Sequence, residues 1–521
     1  MVKIFVVFLL FFLSLFPTSI SAGNPVIKDR FSADPAALVH DDKVYLYVGR
    51  DQAGYPGQIH HFYVLKEWNV YSSRDMKTWE LEGSLPRTEF SWAREDTAWA
   101  AQAIERDGKF YWYVTVLNRD SDPDKNGFAI GVAVSDHPAS GFKDAIGAPL
   151  VRSDMTEAPG FMDPKQTWDN IDPTVFIDDN GQAYLYWGNT HLYYAKLKDN
   201  MIELDGEIHQ LTIENMPGTF TEAPYLHKYK DTYYLSFAMN FPEVTAYATS
   251  HSPEGPWQYQ GILLDRMDDS ETSHQAIIEF KGDWYLIYHT GALPGGGNFR
   301  RSTSIDKLSY NEDGTIQKVT PTASGLAFDS YVIKSSSRPE LGIRHLRGAI
   351  RVSSYNDESY DFQWHIVPGL ANASEEYVSF QAENKPGYYL RFGGEFITLA
   401  KHDGSKSFSE AATFKVVRGL ENGEGVSFQS YKQEELYLFH HETNTVRIGE
   451  VGSDDEKRLA TFQIVALDGS LAEEFIPKLE ATAVKRSFGT IFMFTSLVIL
   501  VLSTVIFMRR RYVGERISNE N

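Results

Sequence analysis

The chain has 521 residues, a formal net charge of −21 and no cysteine. The charge argues against a nucleic-acid partner, because so acidic a chain cannot readily neutralise a phosphate backbone. The missing cysteine excludes disulfides, zinc–thiolate sites and a cysteine nucleophile. Aromatic residues make up 14% of the sequence, and together with frequent Asp, Asn and Gly turns they favour an all-β protein of two or three domains.

The N-terminus carries the pattern of a secretory signal peptide. Lys3 precedes an apolar run over residues 4–16, and a stretch of small residues ends at Ala22. This apolar run is short for a membrane span. We therefore predict that residues 1–22 are a signal peptide.

Residues 24–334 contain five copies of one pattern: a polar opening residue, an apolar strand, a polar turn and an aromatic-rich strand. The tyrosine of the second strand follows the opening residue by eleven or twelve positions in every copy. Such recurrence of a hairpin is typical of a β-propeller. The five opening residues are Asp34, Trp99, Asp172, Glu222 and His274.

A second repeat fills residues 338–468, with copies at 342–370, 376–420 and 425–467. The last two copies share a Val-Ser-Phe-Gln strand and an Ala-Thr-Phe strand. Three similar copies rich in short strands predict a threefold β domain, most simply a β-trefoil.

The C-terminal residues have the pattern of a membrane anchor. A polar stalk at 469–486 is followed by an apolar segment at 487–508, which is long enough to cross a bilayer. Three arginines open the tail at 509–521, and the positive-inside rule predicts that this tail is cytoplasmic. We expect a single-pass protein of the secretory pathway with its main domains outside the cell or in the periplasm.

Three of the five opening residues are carboxylic acids: Asp34, Asp172 and Glu222. Any one of them alone is most simply a turn residue, but equivalent positions of propeller blades converge on one axis. Hydrolysis of a glycosidic bond with inversion needs a carboxylate base and a carboxylic acid. A third nearby carboxylate helps to keep the acid protonated. The shared position therefore predicts sugar hydrolysis, and a neutral polysaccharide would tolerate the negative charge of the chain.

Residues 24–334 resemble glycoside hydrolase family 43. The resemblance rests on five separated motifs in the order expected for the family, at residues 32–36, 168–174, 184–189, 220–224 and 288–302. It implies a five-bladed propeller and an inverting mechanism. It also implies that Asp34 is the general base, that Glu222 is the general acid, and that Asp172 tunes the pKa of the acid and holds it in place.

The same resemblance bears on four further residues. It places His289 near the propeller axis beside a calcium ion or a water, although a satisfied core histidine is the alternative. One of Arg300 and Arg301 should point inward, and we favour Arg301. Trp99 and Trp168 are predicted sugar-stacking walls, with plain packing as the alternative for each. No cofactor is expected to be required, and a structural calcium ion at the axis stays open.

The three-repeat segment resembles the arabinose-binding carbohydrate-binding module family 42. The motif of that family pairs a histidine with an aspartate, and only the first repeat keeps both, as His345 and Asp361. The second repeat has Phe392 and Ala411 in those places, and the third keeps His440 but lacks the aspartate. We expect at most one competent sugar pocket.

These patterns predict an inverting glycoside hydrolase that releases pentose, most simply α-L-arabinofuranose from arabinoxylan or arabinan. The arabinose-binding resemblance favours arabinofuranose. A β-xylosidase or a galactan-cleaving enzyme of the same fold is an alternative within the class. A catalytically inactive carbohydrate-binding surface protein is the alternative from another class, but retention of all three acids argues against it.

Overall fold

The computed structural model describes residues 23–477 apart from 53, 55–62, 95, 121, 164–165, 328–329 and 395. The predicted signal peptide, the apolar segment 487–508 and the tail 509–521 lie outside the described residues, as does the stalk beyond residue 477. Over the part of the chain that is described, no helix is long and apolar enough to span a membrane.

Within the described residues, five small β-sheets follow one another along the chain and form five blades. Blade I contains β1 Ala33–His40, β2 Lys43–Asp51, β3 Leu65–Ser73 and β4 Glu80–Pro86. Blade II contains β5 Ala93–Arg94, β6 Ala101–Arg106, β7 Lys109–Asn118, β8 Gly127–Ser135 and β9 Lys143–Asp144. Blade III contains β10 Thr174–Ile177, β11 Ala183–Trp187, β12 Leu192–Leu197 and β13 Leu204–Leu211. Blade IV contains β14 Ile213–Glu214, β15 Phe220–Tyr229, β16 Thr232–Met239, β17 Val244–Ser250 and β18 Trp257–Leu264, and blade V contains β19 Gln275–Phe280, β20 Asp283–Thr290 and β21 Ser302–Leu308.

The aromatic-rich second strands form the cores between blades. Tyr47 of blade I meets Trp112 of blade II edge-on, with ring centroids 4.9 Å apart, and both side chains are almost fully buried. Burial of a large apolar side chain contributes about 1.5–3 kcal/mol. One core cluster joins Val44 of blade I to Tyr247 of blade IV and Ile287 of blade V, and so closes the ring. The structure confirms the predicted five-bladed propeller.

The C-terminal region is a β-rich domain whose strands fall into three repeats of four. Its strands are β22 Ser330–Ser335, β23 Leu341–Leu346, β24 Ala349–Ser354, β25 Gln363–Pro368, β26 Tyr377–Ala382, β27 Tyr388–Gly393, β28 Phe396–Lys401, β29 Phe414–Arg418, β30 Val426–Ser430, β31 Tyr437–His440, β32 Val446–Gly449 and β33 Phe462–Ala466. A short helix precedes the last strand of the second and the third repeat: α1 Lys406–Ala411 and α2 Asp454–Leu459.

The boundary between the two domains differs from the sequence prediction. Strand β22 was expected to end the propeller, but it pairs with the last strand of the C-terminal domain, Tyr331 opposite Ala466. At the other end Leu471 bridges Val465, and Ala472 is buried. The C-terminal domain therefore extends beyond the predicted 338–468 on both sides.

The second repeat of the C-terminal domain docks on two propeller loops. Lys401 Nζ lies 3.3 Å from Asp269 Oδ2 and donates to the Gly296 carbonyl oxygen at 3.2 Å. Lys385 is paired with Asp268. Asp269 is nearly buried, with its side chain 7% exposed, so this contact is more than a pair of solvated surface charges.

Candidate active site

One open cavity of about 1410 Å³ lies where the first strands of the blades begin. Four of the five opening residues line it: Asp34, Trp99, Asp172 and Glu222. The fifth, His274, has Nδ1 at 3.7 Å from Asp172 Oδ2. The opening residues of the sequence repeat thus lie close together. This is expected of equivalent positions arranged around one propeller axis.

The backbone is irregular at all three acids. Asp34 has φ 50° and Asp172 has φ 61°, and Ala223, which follows the acid Glu222, has φ 56°. The pairing register also shifts in β1 after Ala33 and in β15 around Glu222. Bulges and left-handed non-glycine residues carry a conformational cost and concentrate at functional sites, where they aim a side chain away from the regular strand direction.

Asp34 is held by Arg301. The guanidinium Nη1 donates to Asp34 Oδ1 at 2.7 Å, and both side chains are buried. Burial alone would raise the pKa of Asp34, but the charge of Arg301 and the neighbouring His289 hold that pKa well below its usual range. Asp34 is therefore a carboxylate at neutral pH and is able to accept a proton.

Both ring nitrogens of His289 are engaged within the protein. Nδ1 accepts from the backbone N–H of Asp34 at 3.3 Å, and Nε2 lies 3.0 Å from the Thr272 carbonyl oxygen. His289 therefore has partners within the protein at both nitrogens, as the alternative of a satisfied core histidine describes. Among the described residues, no group of three or more His, Asp or Glu side chains is placed to hold a metal ion.

Arg301 is positioned by a residue that the sequence analysis did not find. Asp51 accepts from the backbone N–H of Arg301 at 2.8 Å, from Nε at 2.9 Å and from Nη2 at 3.0 Å. Arg301 thus bridges two buried carboxylates, with Asp34 on one side and Asp51 on the other. This fixes the position of the Asp34 carboxylate in the cavity wall.

Glu222 has the properties of an acid. Asn189 Nδ2 donates to its Oε2 at 2.7 Å, and its side chain is only partly buried. Burial, and after it the negative charge of Asp34, raise the pKa of Glu222 to about 7. Glu222 and Asp34 therefore differ in protonation state near neutral pH, which is the arrangement that acid–base catalysis requires.

Asp172 is connected to Glu222 through the backbone. Its Oδ2 accepts from the N–H of Ala223 at 3.0 Å, and its own N–H donates to Thr115 Oγ1 at 3.0 Å. Burial, then the charges of Glu222 and Asp34, raise the pKa of Asp172 well above its usual value. The contact with Ala223 suits the predicted holding role. The largest influences on the pKa of Glu222 are burial and Asp34, rather than Asp172.

Aromatic side chains form the walls of the cavity. Trp99 stacks on Phe128 with ring centroids 4.1 Å apart, and Trp168 lies 6.1 Å from Phe161. Both tryptophans line the cavity and are partly exposed, as predicted sugar-stacking walls would be. Phe161 and Phe241 lie at its rim and are 67% and 65% exposed.

Three residues of the site that sequence reasoning missed share a place in the blades. Asp51 ends β2, Asn189 follows β11 and Glu243 follows β16. Each lies where the aromatic-rich strand of its blade connects to the following strand, and this connection is on the same face as the opening residue. Successive strands of a blade run in opposite directions, so every second connection lies on the face of the opening residues. Applying this rule to the sequence would have indicated these connections.

The structure also brings His345 and Asp361 together in the first repeat of the C-terminal domain. Their closest atoms, Nε2 and Oδ1, are 3.5 Å apart, and Asn384 lies within hydrogen-bond distance of both. Arg344 donates to the other oxygen of Asp361 at 2.6 Å. In the third repeat, His440 is buried and lies 2.8 Å from Ser335 Oγ. His440 is thus already occupied within the domain.

Comparisons with known proteins assign both parts of the chain. The model of Glycosyl hydrolases family 43 matches residues 22–316, and that of the Alpha-L-arabinofuranosidase B (ABFB) domain matches residues 331–464. An Arabinoxylan arabinofuranohydrolase of Bacillus subtilis (strain 168) is 31% identical over 351 residues, which cover 59% of this chain and 66% of that protein, just under two thirds of its length. A Xylosidase/arabinosidase of Bacteroides ovatus is 30% identical over 334 residues, covering 56% of this chain and 95% of the relative. Among solved structures, CoXyl43, a GH43 beta-xylosidase/alpha-arabinofuranosidase from a compost microbial metagenome, solved with xylotriose in a calcium-free form, has a TM-score of 0.50 at 30% identity, covering 57% of this chain and 97% of its own.

Proposed function

Because the chain belongs to glycosyl hydrolases family 43, we propose that it releases α-L-arabinofuranose from a plant-type polysaccharide, such as arabinoxylan or arabinan, with inversion. The observation that carries this proposal is the opposite behaviour of two carboxyl groups in one cavity. The pKa of Asp34 is held low, whereas that of Glu222 is raised to about 7. Environments that separate two carboxyl groups in this way indicate a base and an acid. A purely sugar-binding protein has no need of this difference.

In the proposed mechanism, Asp34 takes a proton from a water molecule as that water attacks the anomeric carbon. Glu222 gives its proton to the glycosidic oxygen as the bond to the anomeric carbon breaks. Arg301 and Asp51 fix the base, while Asn189 and the Asp172 contact to Ala223 fix the acid. One water is consumed; after product release Asp34 gives its proton to solvent and Glu222 takes one from solvent, which restores both groups.

Two observations support arabinofuranose as the sugar released. The relative from Bacillus subtilis is named an arabinoxylan arabinofuranohydrolase, and the C-terminal region matches a domain named after an α-L-arabinofuranosidase. A β-xylosidase is the second candidate, because the Bacteroides ovatus relative is named a xylosidase/arabinosidase. Galactan cleavage within the same fold is a weaker alternative.

The test compares hydrolysis of nitrophenyl α-L-arabinofuranoside with that of nitrophenyl β-D-xylopyranoside by the purified protein. We expect a higher kcat/KM for the arabinofuranoside and an inverted product anomer in early proton NMR spectra. Asp34→Asn is the control, and its activity should be near background on both substrates. A preference for xylopyranoside would contradict the arabinofuranose assignment, and a retained anomer would contradict the mechanism.

We further propose that the C-terminal domain is a β-trefoil that binds arabinofuranose side chains weakly through its first repeat. The short distance between His345 and Asp361 supports this, because the first repeat is the one that keeps both residues of the motif. On arabinoxylan affinity gels, Asp361→Ala in the full chain should abolish retention. His441→Ala, at a partly exposed position of the third repeat, is the control. Retention that persists in Asp361→Ala would contradict a single pocket in the first repeat.

Finally, we propose a single-pass membrane location with the catalytic body outside, on the sequence pattern of residues 487–521 alone. Protease added to intact cells should remove the catalytic body and leave the tail protected. Digestion of the tail with protection of the propeller would contradict this topology.

A further inference from the structure

Glu243 is a buried carboxyl group in the wall of the cavity. It lies in the short connection between β16 and β17 and is 2% exposed. It lines the same cavity as Glu222. None of the roles assigned above uses it, and a carboxyl group is rarely buried this deeply unless it is paired.

The contacts of Glu243 define its protonation state. Oε2 accepts from the backbone N–H of Ser273 at 2.5 Å, and the carboxyl group is hydrogen-bonded to Glu222. Two carboxyl groups that share a hydrogen bond need a proton between them. Because Oε2 already accepts from Ser273, the other carboxyl oxygen of Glu243 is the one left to carry a proton.

The surroundings favour a neutral Glu243. Burial, followed by the charge of Glu222, raises the pKa of Glu243 well above its usual value. The charged and titratable groups around Glu243 are mostly acidic. The guanidinium among them, that of Arg301, is already shared by Asp34 and Asp51. These groups are Glu222, Asp172, Asp34, Glu271, His274 and Arg301.

We infer that Glu243, as a neutral carboxylic acid, donates a hydrogen bond to Glu222 and is a positioning residue for the general acid. This inference rests on the proposed function of Glu222. A hydrogen bond to a charged acceptor is roughly twice as strong as one to a neutral acceptor. The bond therefore strengthens as Glu222 gives up its proton to the leaving oxygen, and it stabilises the carboxylate that forms.

The expected effect depends on the leaving group. Removing the donor in Glu243→Ala should lower kcat by about tenfold on an oligosaccharide, whose leaving oxygen needs the proton. The leaving group of a dinitrophenyl glycoside needs no proton. On that substrate kcat should fall less than threefold, which is roughly the change that a substitution without functional effect produces. The basic limb of the kcat/KM profile should move to higher pH, because the Glu222 carboxylate loses a donor that stabilises it.

Glu243→Gln separates a donor role from an ionising role. The amide of Gln can donate to Glu222 while its carbonyl oxygen accepts from the Ser273 N–H, so this variant should restore most of kcat and the position of the basic limb. Glu254→Ala is the matched control, because Glu254 is a carboxylate at the other end of β17, bound to Tyr194 and Lys196 on the outer side of the blade. It should resemble wild type on both substrates.

The experiment measures kcat and the pH profile of wild type, Glu243→Ala, Glu243→Gln, Glu254→Ala and Glu222→Gln on the oligosaccharide and on the dinitrophenyl glycoside. Wild-type kcat and an unshifted limb in Glu243→Ala would overturn the inference, and so would a Glu243→Gln variant as impaired as Glu243→Ala. If Glu222→Gln loses equal activity on both substrates, the proposed acid role fails, and this result is distinct from a failure at Glu243. Activity of Glu243→Ala on the dinitrophenyl glycoside shows that the variant is folded.

Discussion

The pH dependence of the proposed general acid can be tested through Asn189, whose side chain donates to Glu222 Oε2 at 2.7 Å. This hydrogen bond lowers the pKa of Glu222, whereas burial and Asp34 raise it, and the resulting value is about 7. Asn189→Ala removes the donor and should raise that pKa. Because Glu222 acts in its protonated form, kcat/KM is lost as the pH rises through this pKa.

The size of the shift follows from the contact. A hydrogen bond to a charged group contributes about 1.5–3 kcal/mol, and water in the open cavity can replace part of it, so we take the lower end. One pKa unit corresponds to about 1.4 kcal/mol, and the pKa of Glu222 in the variant should therefore be about 8. Between pH 6 and pH 8, kcat/KM should then fall about tenfold in wild type but only about twofold in Asn189→Ala.

The assay is a pH–rate profile on an arabinoxylan oligosaccharide. Asn200→Ala is a matched control, because Asn200 also donates to a glutamate at 2.7 Å but does so on the exposed surface, at Glu203. Its basic limb should coincide with that of wild type. A basic limb in Asn189→Ala that stays in place or moves to lower pH would refute the assignment of this limb to Glu222.

Three further predictions concern the acid, the base and the residue behind the base. Glu222→Gln should lower kcat by about 10²–10⁴-fold on oligosaccharide but much less on a dinitrophenyl glycoside, because only the first leaving group needs a proton; equal losses on both would contradict the acid role. Asp34→Asn should lose comparable activity on both substrates, since the attacking water lacks its base in either reaction, and substantial turnover on the activated glycoside would contradict this. Asp51→Asn leaves the buried Arg301 with one charged partner, so the free energy of unfolding of the propeller, followed by urea denaturation, should fall by about 3–5 kcal/mol. Asp283→Asn, which breaks the half-exposed ion pair with Lys307, should lower that free energy by less than about 1 kcal/mol; equal losses in the two variants would show that Asp51 is not a critical partner.

The sequence located the acids because their positions repeat. Asp34, Asp172 and Glu222 open equivalent strands, so a periodic pattern was enough to place them in one cavity. The five-bladed ring followed from the same pattern, since every copy carries an apolar strand and an aromatic-rich strand. Periodicity is a local signal, and it was sufficient for these features.

The remaining site residues carry no such repeat. Asp51, Asn189 and Glu243 lie in connections that differ in length from blade to blade, from residues 188–191 in blade III to 52–64 in blade I. Each role depends on a contact with a distant part of the chain, such as Asp51 with Arg301. Local sequence does not encode such contacts, and this is also why the two alternatives for His289 could not be separated without the structure.

The domain boundary was misjudged for a related reason. The second and third C-terminal repeats begin with the same Val-Ser-Phe-Gln strand, but the first begins with Ser330–Ser335, which lacks that pattern. Its place in the C-terminal sheet is set by pairing with β33, near the opposite end of the domain. It also pairs with β23 and β25 of its own repeat, and none of these pairings is visible in the residues of the strand itself.

The docking of the second C-terminal repeat limits how this enzyme could be rebuilt by domain exchange. A binding module on a flexible linker can be swapped without disturbing its catalytic neighbour, but here Lys401 covers Asp269, two residues before the cavity-lining Glu271. A propeller grafted onto a foreign module would expose that aspartate and release a loop that continues into the catalytic wall. The propeller and the C-terminal domain should therefore be expressed and engineered together, as one unit.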